Sequence, residues 1–497
     1  MRILRIISST LILLCFVLLG CKYEFPTRSN KSEPIPKNRA VYDNFYVIGG
    51  SLTAGVMDGA LYKSGQMSSY PNLFGYRLDS LLDQENYGIP AIKSENGYNL
   101  DISESGNIKG KFKLSFRNAN TDYPARITIQ GERIEKFRGS IDTVSNLSIP
   151  HLRSYQIFDN DSLRDNLFST RFVNQMSNHS ILDYVLSKNP SLVLLSLGAD
   201  DIMPYIINGA SGRIKPPAND IQPNDATPLA LFKKSIENAV NQILDSTNAD
   251  IILPTIIDPL DFFYFNTLSW HFESGAIGSE KITQLQKHYR DFNFYVQEYN
   301  FSHSGNDRRP QIIFDTYPGL SNRAKTFVDD LLPYAETTDG TVIPKYRQME
   351  RDDKMLYNAE KVQHTSLVSE NKDFATFNPA PDKMVLSKEE IDLIEKLLDS
   401  YNEIIHTVAQ HSNRIYLLDL NSLIKEIQTG EKTFRGIKYN TGFDQNTIIS
   451  ADGYSLNKKG QALLANHFLK LLNSKYNSKF TPFDVNNFEG NTTTLGF

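Results

Sequence analysis

Four apolar runs divide the chain. Phe45-Tyr46-Val47-Ile48 stops on Gly49-Gly50 and then presents Ser51. Leu192-Val193-Leu194-Leu195-Ser196-Leu197 is almost unbroken, Asp250 to Ile257 carries Ile251-Ile252-Leu253, and Ile415-Tyr416-Leu417-Leu418-Asp419-Leu420 completes the set. Runs of this length without polar alternation suit parallel strands covered on both faces. Between them the apolar spacing changes to that of amphipathic helices. Helices are predicted from Tyr70 through Leu82, from Ile181 through Leu186, over Leu229 to Leu244, and over Leu456 to Leu472. Ser387-Lys388-Glu389-Glu390 is a capping box that opens a further long helix to about His411. Strands alternating with helices predict an α/β fold with a doubly wound parallel sheet.

The rhythm breaks twice. From Asn86 to about Phe172 it gives way to Lys111-Phe112-Lys113-Leu114-Ser115-Phe116 and Arg126-Ile127-Thr128-Ile129, which alternate polar and apolar. Period two predicts half-buried strands, hence a β-rich insertion (about 86–172) on the ligand side of the sheet. It either shapes a substrate mouth or contacts a partner, and the sequence does not choose. Phe262 to Ala380 is also irregular, with a short strand predicted at Ile312-Ile313-Phe314.

Composition narrows the class. A chain of 497 residues with 40% apolar content can bury a large core without disulfides. Its 52 basic and 57 acidic residues nearly balance, so no nucleic-acid partner is expected. Met1-Arg2-Ile3-Leu4-Arg5 is a basic start, and Ile6 to Leu19 is apolar but short for a membrane span. This is the pattern of a secretory signal, assigned to 1–20. Gly20-Cys21 resembles the lipobox of bacterial lipoproteins, although Leu19 is bulkier than the usual small residue there. Cys15 then leaves with the leader, Cys21 carries lipid, and no disulfide forms. Residues 21–40 are polar, with Pro26, Pro34 and Pro36, and suit an extended tether. One domain is expected over 41–490, and 491–497 is read as a tail.

Four blocks in order now resemble the SGNH (GDSL) hydrolase family, most of all its long lipoprotein members in Bacteroidetes. Gly49-Gly50-Ser51-Leu52-Thr53-Ala54-Gly55 matches the Gly-Asp-Ser-Leu block, and Asn146-Leu147-Ser148-Ile149-Pro150-His151 the second block, Asn-Leu-Gly-Val-Pro-Gly. Gly198-Ala199-Asp200-Asp201 matches Gly-x-Asn-Asp, and Asp452-Gly453-Tyr454-Ser455 matches Asp-x-x-His. The resemblance implies a flavodoxin-like sheet. It also implies a serine nucleophile at Ser51, an orienting carboxylate at Asp452, and oxyanion donors near His151 and Asp200. It further implies an outer-membrane location, an outer-membrane barrel as partner, and an acyl-ester or lipid ligand. No cofactor is implied.

The chain departs from that pattern at the chemistry itself. Ser455 stands where the family has its histidine, and serine is no base at neutral pH. Asp200 replaces the oxyanion asparagine, so an acceptor stands where a donor is needed. His151 replaces a glycine, which threatens to misplace its main-chain donor, and Gly50 replaces the loop-bracing aspartate. Losing the base of a serine triad costs about 10⁶ in rate, or roughly 8 kcal/mol of barrier. The expected protein is therefore a hydrolase-like binding or structural subunit. The alternative is an esterase in which Ser51, His151 and Asp200 form a rearranged site. His467, His406 and His411 lie on helices, and His271 beside the single Trp reads as packing. Asp200, Asp201 and Asp452 lack the spacing of a metal site, and Asp201 reads as a loop brace.

Overall fold

Four parallel strands build the centre of the molecule: β1 (Phe45–Gly49), β2 (Leu192–Ser196), β3 (Asp250–Pro254) and β4 (Ile415–Leu418), in that spatial order. Phe45 pairs with Leu192 and Gly49 with Ser196, Val193 pairs with Ile251, and Leu418 pairs with Pro254. The computed structural model describes residues 39–495 except 84, 100, 101, 104, 105, 118–122, 178, 274, 316–322 and 364–372. The expected leader, Cys21 and the tether as far as 38 lie outside the described residues. Among the described residues no helix is long and apolar enough to cross a membrane.

An irregular fifth rank lies on the other edge of β1. The Val47 N–H donates to Ser145 O (2.9 Å), while Leu147 N–H donates to Val47 O (2.9 Å) and Ile149 N–H to Gly49 O (3.0 Å). The pairing is parallel. The spatial order is therefore 145–149, β1, β2, β3, β4.

The apolar runs explain this sheet. Val47, Ile48 and Leu192 through Leu195 are all at most 1% exposed. Neighbouring residues of a strand point to opposite faces, so both faces are covered. Helices α3 (Leu229–Ser246) and α4 (Lys388–Ala409) pack on each other, with Phe232 against Tyr401 at 4.3 Å between ring centres. Helices α1 (Tyr70–Leu82) and α5 (Lys458–Tyr476) form a second pair, with Phe74 against Phe468 at 5.0 Å. The capping box forms as read: Ser387 Oγ accepts the Glu390 N–H, and Glu390 returns to the Ser387 N–H. Between β2 and α3 lies the short helix α2 (Ala199–Ile207).

Three expectations need correction. The insertion is less β-rich than read. It contains two antiparallel strands, Lys109–Phe116 and Ala125–Gln130, while most of its other described residues are irregular, with short 3₁₀ turns such as Ile141–Thr143 and Ser154–Phe158. The third strand of that small sheet is Thr493–Leu495, parallel to Lys109–Phe116. Residues read as a tail thus cover a strand edge whose N–H and C=O groups would otherwise be unpaired. The strand predicted at Ile312-Ile313-Phe314 is absent. Side chains take its main-chain donors: Ile312 N–H goes to Asn293 Oδ1 and Ile313 N–H to Gln348 Oε1, both at 2.8 Å. Ile312 and Phe314 instead bury in a small separate cluster with Ile282, Leu285 and Tyr289.

Candidate functional site

Ser51 follows the end of β1 and Asp200 opens α2 just past the end of β2, so adjacent strands deliver both residues to one edge of the sheet. The contact between them is direct. The Ser51 N–H donates to Asp200 Oδ2 at 2.7 Å, and the Ser51 hydroxyl donates to Asp200 Oδ1 at 2.5 Å. The carboxylate therefore takes both donors of the serine. Asp200 is buried, which pushes its carboxyl up from the ordinary range, while His151, the two Ser51 bonds and Arg153 pull it back. Gly50 is required by this contact, since a Cβ there would sit 1.8 Å from Asp200 Oδ2. Gly50 and Asp200 thus fit each other, and a second carboxylate at position 50 would not fit.

His151 turns its main-chain donor to the serine hydroxyl oxygen. Its N–H reaches Ser51 Oγ at 3.0 Å. The backbone there is left-handed (φ +62°), a conformation that favours glycine. The second block also clamps the turn after the serine. Asn146 Nδ2 donates to Thr53 O (3.1 Å) and Asn72 Oδ1 (2.7 Å), and Ser148 Oγ meets Thr53 Oγ1 at 2.7 Å. Asp201 is a brace, with its carboxylate on the Ser154 N–H and hydroxyl; burial pushes that carboxyl up to about 6.

Asp452 does not orient a base. Its carboxylate is 0% exposed and accepts four donors: the Gly59 N–H (2.8 Å), Ser450 Oγ (3.0 Å), the Tyr454 N–H (2.9 Å) and the Ser455 N–H (2.8 Å). Its lone pairs hold a loop in place. The Ser450 N–H closes that loop on Ser455 O at 2.8 Å, and Ser455 itself lines the cavity described next.

A cavity of about 660 Å³ lies at the carboxyl ends of β1, β2 and β3, lined by Ser51, Asp200, His151 and Ser455. Much of its wall is apolar, including Val56, Met203, Ile207, Ile256 and Phe262. Two arginines also line it. Arg153 donates through Nη2 to Pro223 O (2.7 Å) and Gln222 O (3.3 Å), while its Nη1 is buried without a partner among the described residues. Arg126, from the insertion, donates through Nη1 to Asp452 O at 3.2 Å. Its guanidinium lies over Phe112, Tyr357 and Tyr264 at 4.9, 5.2 and 5.5 Å from the ring centres.

No family model and no curated protein matches this chain.

The geometry alone therefore says what the arrangement can do. Ser51 and Asp200, predicted as neighbours, do meet. Ser51, Asp452 and Ser455 do not form a relay, because Asp452 is committed to its loop. None of His271, His406, His411 and His467 lines the cavity. Among the described residues no three His, Cys, Asp or Glu side chains converge on a metal position. Arg126 and Arg153 were missed as site residues. Arg153 follows His151 by two positions and could have been suspected. Arg126 sits on an alternating strand whose register against the cavity no local pattern encodes.

Proposed function

We propose that this chain is a binding or structural subunit built on a doubly wound, SGNH-like and flavodoxin-like sheet, with its hydrolase chemistry disassembled. It is anchored at the outer membrane by lipid on Cys21 and works beside an outer-membrane barrel. The fold reading is supported by the position of 145–149 and β2 on opposite sides of β1. In such sheets ligands sit at the carboxyl ends where the strand order reverses, which is where the cavity lies.

One observation carries the functional reading. The Ser51 N–H is the donor that an acyl-transfer site would offer to a developing oxyanion. Here the Asp200 carboxylate occupies it and also holds the hydroxyl, so the protein's own anion stands in the place of the transition state's. A carbonyl oxygen approaching Ser51 meets an acceptor. Labelling with a fluorophosphonate probe, beside hydrolysis of short-chain nitrophenyl esters, tests this on wild type and Ser51→Ala. The expected result is no Ser51-dependent labelling or turnover; labelling lost in Ser51→Ala overturns it. Membrane attachment is tested separately, since Cys21→Ala should release the chain from membranes.

The second reading has its own observation. The 2.5 Å bond from Ser51 Oγ to Asp200, with the nearby His151 drawing on the same carboxylate, would make Asp200 the serine's base. The same carboxylate would then have to vacate the oxyanion position during attack. Both roles fall on one group, so this reading ranks second.

A further inference from the structure

We propose that the cavity takes an amphiphile with one apolar chain and one anionic head, the head on Arg126 and the chain along the apolar wall. This rests on reading the cavity as a binding site rather than a hydrolytic one.

Arg126 is the starting point. It is half-buried, and among the described residues the bond to Asp452 O is the one hydrogen bond its side chain makes. No described carboxylate lies within ion-pair distance of it. The rings of Phe112, Tyr264 and Tyr357 surround the guanidinium, and the bond to Asp452 O takes only one of its five N–H donors. A guanidinium keeps its charge and presents those donors as a fork that matches a carboxylate or phosphate. A half-buried cation without a counter-charge is costly, and an anionic head offsets that cost.

The rest of the cavity fixes the orientation. Asp200 places negative charge beside Ser51, and the other lining cation, Arg153, already has the Asp200 and Asp201 carboxylates near it, so an anion is disfavoured there and favoured at Arg126. Val56, Met203, Pro204, Ile207, Ile256 and Phe262 give the wall an apolar stretch that suits a hydrocarbon chain. Its volume of about 660 Å³ lies within the range of ligand cavities. The insertion also gains a purpose. Its two strands supply Phe112 and Arg126 to the cavity, and Thr493–Leu495 ties that small sheet down.

The experiment uses the full chain in phosphatidylcholine nanodiscs, with empty nanodiscs as the blank. Binding of hexadecanoate, hexadecyl phosphate and hexadecanol is measured for wild type, Arg126→Met and Met203→Trp, with a thermal melt of each variant to establish folding. Wild type should bind the anionic probes at least about tenfold tighter than the alcohol, the scale of a charge-assisted hydrogen bond. The tighter of the two anions identifies the head as carboxylate or phosphate. Arg126→Met should erase the preference and leave the alcohol unchanged. Met203→Trp should weaken all three by filling the wall. Each methylene removed from the chain should weaken binding about fourfold. Equal binding of acid and alcohol, a preference that survives in folded Arg126→Met, or no saturable binding above the blank each overturns the proposal. Fluorophosphonate labelling of the same samples reports on Ser51 independently. Labelling would sink the non-hydrolytic reading while leaving the headgroup preference measurable.

Discussion

Asp200 and Asp452 are two buried aspartates, the first in the cavity wall and the second behind it, and each belongs to a sequence block with a catalytic look. Asp452 turns its carboxylate to three main-chain N–H groups and one hydroxyl, all from its own loop or the neighbouring turn at Gly59. Asp200 turns its carboxylate to the serine that would do chemistry. A carboxylate used as a loop brace is demanded by the loop, whatever chemistry lies beside it. A carboxylate seated on the serine's own donors bears on that chemistry directly. The same residue type thus carries opposite information at the two places, and the partners distinguish them.

The largest expected effect tests the brace. Asp452→Ala leaves four donors without their acceptor in a site closed to solvent, each worth about 1–3 kcal/mol when stranded. Chemical denaturation should show a loss of roughly 4 kcal/mol or more. Asp200→Ala should cost far less, on the order of 1 kcal/mol, because Ser51 lines the cavity and water can take over its donors. Equal losses at the two positions would break the comparison.

The next effect asks whether Asp200 is the lock. Asp200→Asn should free the Ser51 N–H, and Ser455→His should place a ring nitrogen beside the cavity. Neither change alone should permit fluorophosphonate labelling. The pair together should label at least about 100-fold faster than either, the scale of a single oxyanion donor. Labelling by Ser455→His alone would show that Asp200 yields its place to the probe.

Much of the frame was legible because burial on both faces writes itself into unbroken apolar runs. β1 to β4, α3 and the capped start of α4 follow from that rule and from helical spacing. The meeting of Ser51 with Asp200 was legible too, through the order of the blocks. What stayed hidden depends on side chains replacing ladders. Ile312-Ile313-Phe314 has a strand's composition, yet Asn293 and Gln348 take its donors. Thr493–Leu495 has no apolar pattern of its own and pairs because an edge was open. Asp452 looked like an orienter because a motif names a residue without naming its partners.

Gly50 offers a smaller and more pointed test. A methyl group there would press on Asp200 Oδ2, which Ser51 holds in place. Gly50→Ala should cost about 2 kcal/mol as an overpacked contact. In an Asp200→Ala background the cost should fall by about 1 kcal/mol or more, since the opposing atoms are gone. Additive losses would mean that the backbone, and not Asp200, demands glycine.

The smallest effect carries the sharpest sign. A serine kept for catalysis often sits at some expense to stability, so its removal is neutral or stabilising. Ser51 is bonded to a buried carboxylate, and on the proposed reading Ser51→Ala should cost about 1 kcal/mol. The deficit should depend on pH. Burial raises the Asp200 carboxyl above its unfolded value, and the Ser51 bonds lower it again. Through that window the native state holds the proton longer than the unfolded state, so stability falls as pH rises. Removing the hydroxyl takes away one lowering contribution and widens the window. The loss in Ser51→Ala should therefore be least in acid, where Asp200 is protonated in both states, and should grow as the carboxylate ionises. Denaturation midpoints of wild type and Ser51→Ala across a pH series measure this directly. A gain in stability, or a deficit that shrinks as pH rises, would return Ser51 to the class of residues kept for chemistry.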